Sequence, residues 1–564
     1  MKKILFPLII IALSILGCNH NQININLTDA IRINQLGYYP ESVKKFIVAD
    51  SIASYFEVID SEGKSIFKGN LIDNGIWISS GEGASMGDFT KVEKEGAYYI
   101  LVDGKYRSYP FIINSKLYDK ALTAAIKSYY YQRASMPIEE KHGGEYARES
   151  GHPDNNCNYH PSSGNENGTL NSQGGWYDAG DYGKYIGNAS LSTGQMLLLL
   201  EQFPDIIPDG SLNIPESGND IGDLYDELKY ELNWILTMQD DDGGVYHKLT
   251  AKTFSGFIMP KDYDLDRWII GKGTAATLNF AAVLAQASRL YKDFDPQWSS
   301  VALAASQKAW NWAIQNNNIE FKNPEDVSTG EYGDDYFADD FYWAAAELYT
   351  STKHEKYLNF LKENKEPVKH ELTNSWKFFV RNNAFHSLLE NIDQLDNNFS
   401  NELRQSQISL ADEILTELES NPYGIALNKF EWGSNSDILN QAMILCNTHR
   451  ITNEEKYLDG AEQINDYIYG KNATGYCFLT GFGSKKVMFP HHRPSGADGI
   501  IDPVPGFIVG GPNNDRQDKL QVNYFNTMPA KSYMDIEESY ASNEVCINWN
   551  APAVYVMGYL QQKR

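Results

Sequence analysis

At 564 residues the chain is longer than a single ordinary hydrophobic core holds, so a large domain with a smaller companion is expected. Its 48 basic and 74 acidic residues leave a net charge of −26, which repels phosphate backbones, argues against nucleic acid as a partner and favours a neutral ligand. A 42 % hydrophobic fraction can build a core, whereas five scattered cysteines make neither a disulfide framework nor a CxxC-type metal site.

Residues 1–17, MKKILFPLIIIALSILG, place two lysines before an apolar run too short to span a bilayer comfortably, and read as an export signal. The run Ser14-Ile15-Leu16-Gly17-Cys18 is similar to a bacterial lipobox, which makes Cys18 the lipidated first residue of the mature chain. An ordinary cleaved signal with an incidental cysteine is the competing reading. Lipidation implies attachment to an envelope membrane, on its periplasmic or surface face, with residues 18–30 as a polar tether.

Residues 31–115 alternate with period two, as in Lys45-Phe46-Ile47-Val48-Ala49 and Tyr55-Phe56-Glu57-Val58-Ile59, and predict a small β-sandwich without a cluster of catalytic-looking groups. Residues 116–564 shift to helical periodicity. About twelve helices are predicted, the first from Tyr118 and the others near 183–203, 220–239, 273–291, 297–316, 337–351, 354–364, 380–392, 399–419, 435–449, 453–469 and 549–562. With no repeated sequence unit, a closed toroid of helix pairs suits them better than a solenoid. Long connections rich in Gly, Asn, Pro and Tyr, at 136–182, 241–272, 317–336, 366–378 and 471–547, hold the candidate chemistry.

In GGWYDAGDYGKY, residues 174–185, the small Ala179 and Gly180 let the backbone bend so that Asp178 and Asp181 can face one point. Like charges that close resist ionising together, which is one way to set a general base; alone, the motif also suits a cation site or a capping turn. A second acid cluster among aromatics, Tyr533 to Glu544, makes Glu544 a candidate general acid, since a desolvated carboxyl keeps its proton near neutral pH. Its alternative is a helix-start glutamate complementing the dipole. Between them, Phe489-Pro490-His491-His492-Arg493 suggests hydrogen bonding to a polar ligand, with metal ligation as the rival disfavoured by the arginine.

These three pieces, in this order, resemble glycoside hydrolase family nine, the inverting cellulase family built on an (α/α)6 barrel. The 174–185 loop matches the family's aspartate loop almost letter for letter, His491 and Arg493 meet its His-x-Arg signature, and Tyr533, Asp535, Tyr540, Glu544, Asn550 and Ala551 meet its terminal pattern. Ile31-Arg32-Ile33-Asn34-Gln35-Leu36-Gly37-Tyr38 looks like the start of the immunoglobulin-like domain that precedes many bacterial members. The resemblance implies an immunoglobulin-like β-sandwich followed by an all-α (α/α)6 barrel. Glu544 is then the general acid, Asp181 the base and Asp178 a second holder of the water, while His491, Arg493, Asp535 and Tyr540 line glucose subsites and His247 is a further candidate.

The resemblance implies no cofactor for catalysis. Asp335, Asp339 and Asp340 sit in a segment similar to one that binds structural calcium in relatives, a solvated acidic turn being the alternative. A zinc site found in some members is doubtful here, because Ala134 stands where they carry a cysteine; Cys157 with His142, His152 and His160 could form a rearranged one. The implied activity is hydrolysis of β-1,4 bonds in cellulose-like, mixed-linkage or xyloglucan-type glucans by an endo-acting monomer. The alternatives are an exo-acting relative (a cellobiohydrolase, β-glucosidase or exo-glucosaminidase) or a non-catalytic surface glycan-binding lipoprotein. The β domain is expected to buttress the barrel.

Overall fold

The computed structural model describes residues 25–165, 167–365 and 380–564. The expected signal, Cys18, the first part of the tether and the 366–378 connection lie outside the described residues. Among the described residues no helix is long and apolar enough to cross a membrane.

The N-terminal domain is a β-sandwich. Its strand Tyr55–Asp60 pairs antiparallel with Ser65–Trp77 and Gly96–Val102, and Lys45–Ala49 pairs antiparallel with Glu82–Asp88 and Ile31–Arg32. The long strand Ser65–Trp77 serves both groups: its first half pairs with Tyr55–Asp60, and from Leu71 it pairs with Glu82–Asp88. The two layers therefore close on alternate residues of the period-two pattern, among them Phe46, Phe56, Val58, Ile100 and Phe111, all buried. Strand Asn26–Leu27, which pairs parallel with Tyr106–Arg107, starts the sheet inside the segment expected to be tether.

The helical domain contains the helices Asp119–Gln132, Ile186–Gln202, Asp223–Thr237, Thr274–Tyr291, Pro296–Gln315, Ala338–Thr352, Glu355–Glu363, Arg381–Glu390, Asn397–Ser420, Ser434–Thr452, Glu455–Ile468 and Ile547–Lys563. Local chemistry sets several starts: Asp295 caps the Trp298 amide ahead of Pro296, and Asp396 accepts from the amides of Asn398 and Phe399. Six helices are buried nearly all round and touch in succession: Ile186–Gln202, Thr274–Tyr291, Ala338–Thr352, Arg381–Glu390, Ser434–Thr452 and Ile547–Lys563, the last returning to the first. The more amphipathic helices pack outside them.

The expectation of an all-α second domain is corrected by a five-stranded sheet inserted in it. Its order is Thr169–Leu170, Cys157–Tyr159, Trp268–Lys272, Tyr246–Thr250, Lys184–Tyr185, so its last strand leaves directly from the aspartate loop.

The domains share one interface. Trp77 packs on Tyr423 with ring centroids 4.7 Å apart, and Glu82 bonds Lys531 and Tyr423. Gln35 Oε1 accepts from the amides of Ser484 and Lys485, each at 2.8 Å, while its Nε2 donates to the Gly475 carbonyl at 2.9 Å.

Candidate active site

Three chain segments far apart in sequence are joined by backbone. The Gly180 carbonyl accepts from the Arg493 amide at 3.0 Å and from Arg493 Nη1 at 2.9 Å. His491 and Glu544 form a parallel bridge, Ala179 and Cys546 an antiparallel one, and the Ile547 amide donates to the Asp178 carbonyl at 2.8 Å. The aspartate loop, the His-x-Arg loop and the segment carrying Glu544 thus form one rigid floor.

Within it the two aspartates differ. Asp178 is wholly buried: Asn188 Nδ2 donates to Oδ1 at 2.6 Å, Tyr332 Oη donates to Oδ2 at 2.9 Å, and Cys546 Sγ lies 3.8 Å from Oδ2. Burial, and then the neighbouring charge of Asp181, pushes its carboxyl up to about 7. Asp181 is 7 % exposed, and its Oδ1 takes only a long 3.4 Å contact from the Gly183 amide. Burial raises it as well, while the charges of Arg493, Arg267 and Lys248 oppose the rise. Glu544 is partly exposed, and burial with the charges of Asp181 and Asp178 holds it well above the usual carboxylate range, against the pull of Arg493. The arrangement offers one carboxylate with free oxygen lone pairs and one carboxylic acid that keeps its proton, as acid–base chemistry requires.

The surrounding side chains differ in how much of their hydrogen-bonding capacity the scaffold already uses; the Tyr540 hydroxyl, for one, donates to the Gln517 carbonyl at 3.1 Å. His491 Nδ1 bonds the Glu537 carbonyl at 2.5 Å, so that nitrogen carries the proton and Nε2 is left as an acceptor; burial and then Arg493 lower the ring to about 4. Arg493 also donates from Nε to the Ser255 carbonyl at 3.1 Å and lies 5.6 Å from the Phe254 ring. Tyr540 stands 5.4 Å from Trp432 and 6.0 Å from His491, ring to ring. Phe254 and Phe489, 47 % and 50 % exposed, present open faces beside these groups. Asp535 accepts from the amides of Met488 and Phe489, each at 2.9 Å, and from Asn543 Nδ2 at 3.2 Å. Its contacts tie the His-x-Arg loop to the segment before Glu544. His247 Nε2 bonds the Glu331 carbonyl at 2.8 Å and its ring stacks on Phe321 at 3.7 Å, while its buried Nδ1 takes no hydrogen bond from the described residues.

Sequence reasoning missed Tyr332, Asn188 and Asn543. Only Asn543, adjacent to Glu544, had a positional clue; Tyr332 lay in the acidic segment read for calcium.

Neither expected metal set assembles: among the described residues no group of three or more His, Cys, Asp or Glu is placed to hold a metal ion. Asp335 is exposed, while Asp339 and Asp340 are buried in the first turn of Ala338–Thr352. There Asp339 accepts from the Val380 amide at 3.0 Å and Asp340 from Asn279. Burial and the charge of Asp334 push Asp339 up to about 7 and Asp340 well above the usual range. The rearranged zinc site is overturned because its histidines serve their own neighbours. His152 bonds Tyr177, His160 bonds Ser162 and Asp326, and His142 bonds Asn213.

A helical domain behind a β-sandwich, with two aspartates and a glutamate converging on one floor, is the arrangement of a glycoside hydrolase. Residues 118–557 match the pattern of Glycosyl hydrolase family 9, and residues 27–107 match the cellulase N-terminal ig-like domain. The chain belongs to that family and is a glycoside hydrolase. It is 40 % identical over 549 residues to a xyloglucan-specific endo-beta-1,4-glucanase of Bacteroides ovatus, covering 93 % of this chain and 92 % of that protein. Endoglucanase D of Acetivibrio thermocellus is 32 % identical over 543 residues, covering 95 % and 84 %. A solved family 9 structure from Bacteroides ovatus superimposes with a TM-score of 0.88 at 38 % identity, covering 95 % of this chain and 99 % of that one.

Proposed function

We propose that this chain is an inverting, endo-acting β-1,4-glucanase for branched, xyloglucan-type β-glucan, working as a monomer on an (α/α)6 barrel. The observation that carries the reading is the pairing of Asp181, with its free lone pairs and three opposing cations, with Glu544, held protonated across the same floor. Glu544 gives its proton to the glycosidic oxygen as the bond from that oxygen to C1 breaks. Asp181 takes a proton from a water whose oxygen bonds C1 from the opposite face, and Asp178, fixed by Asn188 and Tyr332, holds that water. Proton exchange with solvent then resets both carboxyls. Inversion needs the acid and base roughly 6.5–9.5 Å apart so that water fits between base and sugar.

The half-exposed faces of Phe254 and Phe489 suit stacking on pyranose rings, and His491, Arg493 and Tyr540 suit their hydroxyls. The xyloglucan preference rests on the Bacteroides ovatus relative. The ring of six helices, each touching the next, supports the barrel, and one chain supplies all three carboxyl groups, so no second copy is needed.

The test follows products over time on xyloglucan, barley β-glucan, carboxymethylcellulose and chitosan oligosaccharides, with Glu544→Gln and Asp181→Asn as controls and NMR of the first-formed anomer. Mixed oligomers, a rapid viscosity fall and initial α-anomer are expected from the wild type, and retained oligosaccharide binding without turnover from both variants. One small product from the start would mean an exo-acting pocket, and no product on any substrate would leave a glycan-binding lipoprotein. We also propose that Cys18 carries lipid in the envelope; a Cys18→Ser chain that still fractionates with membranes and takes up labelled fatty acid would sink that idea.

A further inference from the structure

Lys248 lies on strand Tyr246–Thr250, directly opposite Tyr185 of the strand that leaves the aspartate loop. It is completely buried, and every hydrogen-bond acceptor it has is neutral. These are Asn323 Oδ1 at 2.7 Å, Thr329 Oγ1 at 3.1 Å and the carbonyls of Thr329 and Gly330 at 3.3 and 2.7 Å. Burying an ammonium on neutral acceptors is a costly way to gain stability, since several kcal/mol of hydration, of the order found for buried ions generally, go unmatched by an opposite charge.

The neighbouring His247 holds the next carbonyl, that of Glu331. Two adjacent strand residues thus grip three successive carbonyls, at 329, 330 and 331. The residue that follows is Tyr332, held at φ 47° in the left-handed region that a bulky aromatic side chain avoids. Its ring packs edge-on against Tyr185 at 4.7 Å, and its hydroxyl donates to Asp178 at 2.9 Å.

We propose that Lys248 is a positioning residue for hydrolysis: with His247 it clamps the 329–331 backbone so that Tyr332 delivers its hydroxyl to Asp178, and it carries a buried positive charge toward Asp181. The inference rests on the reading of Asp178 and Asp181 as the pair that handles the water. The other charged groups facing Asp181 are Arg493, Arg267, Asp178 and Glu544, so Lys248 is one of three cations set against two carboxyls. Burial pulls Lys248 down to about 7, and the charges of Asp181 and Glu331 hold it up.

Two variants separate clamp from charge. Lys248→Met removes both, whereas Lys248→Gln removes the charge and, with a shorter side chain and two N–H donors, keeps part of the clamp. Each is measured alone and combined with Tyr332→Phe, using kcat, KM and the pH profile of kcat/KM on a soluble glucan, with folding checked by circular dichroism. For Lys248→Met we expect kcat to fall about 10- to 100-fold with KM within about threefold, and less than about threefold further loss in the Tyr332→Phe background. For Lys248→Gln the acid limb should move to higher pH, because a cation that favours ionised Asp181 is gone. Losses that multiply independently of Tyr332, together with an unmoved acid limb, would overturn the proposal; if Lys248→Met does not fold, the acid limb of Lys248→Gln decides. Turnover retained by Asp181→Asn or Glu544→Gln would instead overturn the catalytic reading on which it rests.

Discussion

Gly180 shows how closely the floor that carries Asp181 and Glu544 is packed. A Cβ there would stand 1.9 Å from the His491 carbonyl oxygen, a backbone atom that no rotamer change can move aside. Gly180→Ala must therefore push the aspartate loop away from the His-x-Arg loop, and with it Asp181 away from Glu544. A misplacement of about 1 Å can cost about 100-fold in rate, so kcat should fall at least that far while the melting temperature, measured by calorimetry, drops only a few degrees. A near-normal kcat in the alanine variant would mean that this contact does not set the spacing. Asp178, Asp181 and Glu544 were legible in the sequence because a short motif carries each of them in a recognisable setting. Tyr332 and Lys248 were not, since Tyr332 meets Asp178 from 154 positions away and no local pattern aims it. Asp535 and His247 were expected to line glucose subsites, and the structure adds a scaffold use for each that sequence motifs do not distinguish from ligand binding: Asp535 accepts from the Met488 and Phe489 amides, and His247 Nε2 bonds the Glu331 carbonyl.

At the scale of elements, the long helices could be read because an apolar stripe with period 3.6 recurs over three or more turns. The inserted sheet could not: its strands run from two to five residues, too short to establish a period, and Cys157–Tyr159 pairs with Trp268–Lys272 across more than a hundred positions. The β domain was read as a buttress, and its contacts give that idea a definite target. Gln35 holds the turn at Ser484 and Lys485, a few residues ahead of the Met488–Phe489 amides that Asp535 engages. Gln35→Ala leaves those two amides and the Gly475 carbonyl without their partner, a loss of about 1–3 kcal/mol for the buried carbonyl and less for the half-buried amides, which water can reach. A clear fall in melting temperature accompanied by a lower kcat is expected. A fall in melting temperature with kcat unchanged would confine the β domain to stability and remove any hold on the catalytic loops.

For the molecule as a whole, buried ionisable groups set how stability depends on pH. Burial raises Glu231 to about 8 and Asp178, Asp339 and Glu462 to about 7, so the folded chain keeps protons that the unfolded chain has already lost. Where the folded state binds more protons, stability rises as pH falls, by about 1.4 kcal/mol per pH unit for each proton. Histidines act in the opposite direction. His152 is lowered to about 2, His247, His386 and His492 to about 3, and His491 to about 4, all chiefly by burial, so below about 6.5 only the unfolded chain charges them. From pH 8 to about 6.5 the raised carboxyls lead, helped by relief of self-repulsion in a chain of net charge −26. Lys44, Lys353 and Lys471, lowered by burial to about 8, and Lys248, lowered to about 7, oppose them in the upper part of the range; the melting temperature should climb, most clearly below about 7. Between about 6.5 and 4.5 the two sets oppose one another and the curve should flatten; below about 4 the unfolded carboxyls also take protons, the histidines dominate and stability should collapse. Glu231→Gln tests the leading contribution, because glutamine keeps an oxygen for the Trp176 amide that Glu231 Oε2 now accepts at 2.5 Å and cannot ionise. That variant should melt higher than the wild type at pH 8 and much like it at pH 5, whereas an equal change at both values would show that ionisation of Glu231 is not what limits stability in alkali.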